Sequence, residues 1–115
     1  MRIVESKSRA SIRELNEMAM NTFGDMVKAV IDVKLGIMAI DAELHADEEA
    51  LLIENGSDQR DLWGINLYPE IEGADFIEYD SMINLRPSIG NRSRGVDNPV
   101  VRDKIRQIVI DLVIR

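Results

Sequence analysis

The chain has 115 residues, a formal net charge of −7, 45% hydrophobic and 30% charged residues, and no cysteine. That length suits one domain with one core, the composition is globular rather than disordered, and disulfide and thiol chemistry are excluded. The longest apolar runs, LGIMAI and QIVIDLVI, are too short to cross a bilayer, and the acidic balance argues against general nucleic-acid binding, which depends on a positive surface. No apolar leader stretch opens the chain, so a cytoplasmic location is the expectation. Charge is unevenly spread: residues 41–80 carry thirteen carboxylates against the single Arg60, whereas residues 81–115 carry seven basic groups against Asp97, Asp103 and Asp111.

Ser11 followed by Glu14 is a capping box, and Ile12, Leu15, Met18, Ala19, Thr22 and Phe23 recur at helical spacing, which predicts a helix over residues 12–23 ended by Gly24. The period then drops to two. In MVKAVIDVK, Val27, Ala29, Ile31 and Val33 alternate with Lys28 and Asp32; a turn at 34–36 and the strand GIMAID complete a hairpin. ALLIEN and LWGINLY, separated by GSDQRD, read as a second strand pair, with the acidic ELHADEE before them as a solvated turn. FIEYDSMINL reads as a further strand with Ile77, Tyr79, Ile83 and Leu85 on one face and Glu78, Asp80 and Asn84 on the other. Asn98 as cap and Pro99 at the first helical position open a C-terminal helix carrying Val101, Ile105, Ile108 and Leu112 on one stripe. Its β-branched end also suits a strand, but the cap signals decide for helix. The expectation is one α+β domain over residues 1–115: N-terminal helix, antiparallel meander of about five strands and C-terminal helix, in a two-layer sandwich with the helices on one face.

The strings GDMVKAVIDVKLGIMAID, ELHADEEALLIENGS, LWGINLYPE and DSMINLRPSIGNRSRGV resemble those of a small family of uncharacterised bacterial and archaeal proteins, over roughly residues 21–114. The resemblance implies a free-standing domain. It carries no activity, cofactor or catalytic residue.

Two stretches hold residue types suited to chemistry. Arg86, Ser88, Asn91, Arg92, Ser93 and Arg94 lie with two glycines in the connection to the last helix; guanidinium forks match phosphate or carboxylate oxygens, and glycines let backbone amides approach an anion. The competing role for these arginines is to pair with the acidic middle of the chain and pin the loop. In ELHADEE, the only histidine, His45, stands among carboxylates; on an extended strand Glu43, His45 and Asp47 would share a side, giving a general base with an orienting carboxylate. Zinc sites draw on several His or Cys ligands, so no metal site is expected, and no glycine-rich fingerprint points to a cofactor. Three readings follow: a binding module for a phosphate-bearing anionic small molecule through the 86–94 loop, a hydrolytic enzyme using His45 and Asp47, and an interaction protein whose acidic and basic surfaces mate in a homo-oligomer.

Overall fold

A computed structural model describes residues 1–115. Two short strands, β1 (Arg2–Val4) and β2 (Ala10–Ser11), precede helix α1 (Ile12–Asn21). The capping box forms as its residue types dictate: Ser11 Oγ accepts from the Glu14 amide at 3.1 Å, and Glu14 Oε1 accepts from the Ser11 amide at 3.0 Å. Gly24, at φ +96°, closes the helix by donating its amide to Ala19 O at 2.6 Å.

Strands β3 (Val27–Asp32) and β4 (Ile37–Ile40) form the expected hairpin. Its turn is held from within: the buried Asp32 carboxylate accepts from the Lys34 and Leu35 amides at 2.9 Å each and from Ser57 Oγ at 2.6 Å. Helix α2 (His45–Glu54), strand β5 (Leu62–Leu67), the two-residue strand β6 (Ile77–Glu78), helix α3 (Pro99–Leu112) and strand β7 (Val113–Ile114) follow. The main sheet is antiparallel with the order β1-β4-β3-β5-β6, and β7 pairs in parallel with β2 to tie the end of α3 to the start of α1.

The α+β class, the five-stranded antiparallel sheet and the two terminal helices are those expected. One face of the sheet carries Val27, Ala29, Ile31, Met38, Ile40, Trp63, Ile65 and Leu67, which join Leu15 and Ala19 of α1 and Ile105, Ile108, Val109 and Leu112 of α3 in the main core. On the other face, Val30, Ala39 and Leu62 pack against Leu52 of α2 in a small second core. Helix α2 therefore adds a layer on that second face.

Three local expectations are corrected. ALLIEN is helical, and ELHADEE is the start of that helix rather than a turn. The sheet residues of α2 are His45, Glu48 and Leu52; two of the three are polar, so no apolar stripe marks the helix, and its cap position is Leu44, which has no capping side chain. The sheet reaches five strands because Arg2–Val4 pairs with β4. Finally, FIEYDSMINL is a strand only at Ile77–Glu78. Beyond it, Asn84 takes over the edge of β5 with its side chain, Oδ1 accepting from the Gly64 amide at 2.8 Å and Nδ2 donating to Gly64 O at 2.9 Å. The amide reproduces the donor–acceptor pair of a neighbouring strand, so the backbone can turn away.

Candidate functional site

The 86–94 loop is bonded mainly to its own chain. Arg86 lies over Trp63, 4.2 Å from the ring centroid, and donates to Gln59 O at 2.9 Å and Leu62 O at 2.7 Å; partial burial lowers its pKa. Asn91 is buried and donates to the carbonyls of Asn84, Ser93 and Gly95, while its Oδ1 accepts from the Asp97 amide. Asp97 sits where an external anion would: it accepts from Ser93 Oγ at 2.5 Å and from the Arg92 amide at 2.9 Å, and these bonds hold its pKa below the usual carboxylate range. Arg94 Nε donates to Asp80 at 2.7 Å. Ser88 and the Arg92 side chain are exposed and form no bond within the chain. Asp80 and Asn84 do meet this loop, as anchors.

His45 opens α2 and faces the sheet. Its Nε2 lies 2.7 Å from Ile65 O; a carbonyl only accepts, so Nε2 carries the hydrogen of this bond and Nδ1 keeps the lone pair. Burial lowers its pKa, opposed by the bond to Ile65, and the charges of Lys28, Asp80 and Arg94 also act on it. Asp47 does not join it: on a helix, residues two apart point about 200° away from each other, and Asp47 is exposed. One turn along, Glu48 is fully buried; Oε2 accepts from the Ala42 amide at 3.1 Å, Oε1 has no partner, and burial pushes its pKa up to about 9. No cluster of three or more His, Cys, Asp or Glu is arranged to hold a metal ion.

A further concavity lies elsewhere, between the outer edge of the sheet and α3. It encloses about 690 Å³ and is lined on the sheet side by Phe76, Ile77 and Tyr79 and on the helix side by Arg102, Arg106 and Ile110, with Arg115 at one end. Arg102 lies over Tyr79, 4.1 Å from the ring centroid, and Arg115 over Phe76 at 4.6 Å. Neither guanidinium makes an ion pair; Arg106 is bound to Asp103 at 2.6 Å. A guanidinium centred over a ring still has N–H groups available to an anion, so the aromatic contact positions these donors without consuming them. A family model described as "Protein of unknown function (DUF5674)" matches residues 3–112. The chain belongs to the DUF5674 family. No curated protein and no solved structure matches it. No helix of this DUF5674 chain is long and apolar enough to cross a membrane.

The groove was missed in the sequence although part of its signal is there. Arg102 and Arg106 stand one turn apart, off the apolar stripe of α3, in the basic third of the chain. Their juxtaposition with Phe76 and Tyr79 comes only from the packing of α3 beside β6.

Proposed function

We propose that this protein is a small binding module for an anionic ligand, taken up in the groove between β6 and α3 rather than through the 86–94 loop. The observation that carries the reading is the pair of stacked, unpaired guanidiniums, Arg102 and Arg115, facing a concavity with an apolar floor on a chain of net charge −7. Such a chain repels anions in general, so two guanidiniums that no carboxylate of the chain pairs favour local recognition, although Asp103 lines the same groove. Guanidinium forks suit phosphate and carboxylate oxygens alike, and Ile77 and Ile110 supply surface for a carbon skeleton. A phosphate-bearing ligand on the loop has less support, because Asp97 already occupies the Ser93 hydroxyl and the Arg92 amide.

Inorganic pyrophosphate at constant ionic strength is the test probe. A bound ligand at a hundred times its Kd stabilises by roughly 2.7 kcal/mol, readable as a rise in melting temperature. The rise should vanish in Arg102→Ala combined with Arg115→Ala and persist in Arg92→Ala. If Arg92→Ala alone abolishes it, the site is the loop.

A further inference from the structure

We propose that the ligand of the groove is an extended acidic polypeptide segment that adds as a strand to the open edge of β6, an inference that rests on the anion-binding reading above. Strand β6 is the last in the sheet. Asn66 pairs with Glu78, and the Tyr68 amide donates to Phe76 O at 2.9 Å. Antiparallel alternation then turns the Glu78 backbone groups toward β5 and the N–H and C=O of Ile77 outward. No turn or loop of the chain bonds them. The connection to α3 covers the edge only further on, where Ser81 donates to Arg94 O at 2.9 Å and Gly95 approaches Tyr79 O. Strand β6 is only two residues long, so the open edge is confined to Ile77, which opens onto the groove.

The arginines are spaced for a strand. Arg115 lies over Phe76 and Arg102 over Tyr79, so they flank Ile77 at positions three residues apart, about 10 Å along an extended chain. Arg106 follows Arg102 by one helical turn, about 6 Å. That matches the roughly 6.6 Å between alternate residues of a strand, whose side chains point to the same face. A segment with Asp or Glu at alternate positions can therefore bond Ile77 through its backbone and the arginines through its carboxylates, with the methylene stems of those same side chains against Ile77 and Ile110. A free phosphate would use the guanidiniums and leave the Ile77 groups and the apolar floor untouched. Asp103, which holds Arg106 in the empty groove, competes with the incoming carboxylate.

The test titrates the full chain with an acetylated octapeptide alternating Glu and Thr, its Gln-for-Glu version, the acidic peptide with alternate amides N-methylated, and inorganic pyrophosphate. Affinity is read by calorimetry and amide protection by hydrogen exchange. The expected result is that the acidic peptide binds at least about tenfold tighter than pyrophosphate, a gain of about 1.4 kcal/mol. The Ile77 amide becomes protected, Asp103→Asn tightens binding, and the Gln and N-methylated peptides lose it. An N-methylated peptide that binds as well as its parent, or an Ile77 amide that stays unprotected in the complex, overturns the strand addition. If pyrophosphate binds at Arg102 and Arg115 but the peptide binds no better, this inference fails and the anion-binding reading stands; if neither binds, both fail. A concentration-dependent dimer by sedimentation, with Ile77 protected before any peptide is added, assigns the edge to a second copy and also overturns the proposal.

Discussion

Glu48 makes the sharpest demand on the structure, because a fully buried carboxyl on the sheet side of α2 has one oxygen without a partner. Burial raises its pKa to about 9 against an ordinary 4.5, with the Ala42 amide and the Lys28 charge pulling it down and Asp41 pushing it up. The folded chain thus retains a proton that the unfolded chain releases above pH 4.5. Stability linked to this group is fully present below that pH, falls as pH rises through the window from 4.5 to about 9, and levels off beyond it. At 1.36 kcal/mol per unit, the loss reaches about 4 kcal/mol by pH 7.5. Glu48→Gln keeps an acceptor for Ala42 and removes the titration, so the variant should match the wild type near pH 4.5 and exceed it increasingly toward pH 9. Urea unfolding of both proteins at several pH values in that window measures the difference, and subtracting the two curves cancels groups such as Glu14 and Asp97, whose pKa values move the opposite way. A constant difference across the window would refute the reasoning, since it would mean that Glu48 ionises as an exposed carboxyl does.

Leu15→Ala and Ile105→Ala should each lower unfolding free energy by about 2–5 kcal/mol, because both side chains are fully buried in the main core; losses below 1 kcal/mol in denaturant melts would place them elsewhere. At Gly64 an added Cβ would meet Ser81 Cβ at 2.5 Å, so Gly64→Ala should destabilise by about 1–3 kcal/mol, and a neutral result would show that the β5 edge is looser than described. Asn84→Leu strips the Gly64 amide and carbonyl of their partner and should cost several kcal/mol, of order 1–3 per buried group left unpaired; calorimetric melting decides. The single histidine should titrate below 6.5 in an NMR pH series with Nε2 protonated above its midpoint, and because its folded pKa is depressed, stability should fall as pH drops through 6.5. A midpoint at or above 6.5 would contradict its burial against Ile65.

Local sequence determined the elements whose signals are local. Ser11 with Glu14 starts α1, Asn98 with Pro99 starts α3 and caps it through a bond to the Val100 amide at 2.9 Å, and the two-residue period of MVKAVIDVK with its turn makes a hairpin. In each case the groups that satisfy the backbone lie within a few residues of it, so the physics is written in the spacing. Helix α2 escaped that reading because its inward positions are polar: His45 is satisfied by Ile65, twenty residues away, and Glu48 is accommodated by losing its charge. The early end of β6 was equally hidden, since it depends on Asn84 reaching back to Gly64. The arginine loop shows the same division: its guanidiniums and serines are plain in the sequence, but only the fold brings Asp97 onto the Ser93 hydroxyl and Asp80 onto Arg94. Conversely, Arg102 and Arg106 read as solvated charges on a helix until tertiary packing sets them beside Tyr79, Phe76 and an open strand edge. Local geometry decides where a chain turns and coils. Which polar groups are already satisfied, and which are left facing a cavity, is settled by contacts between residues far apart in the chain, and that is the part of the site that tertiary structure decided.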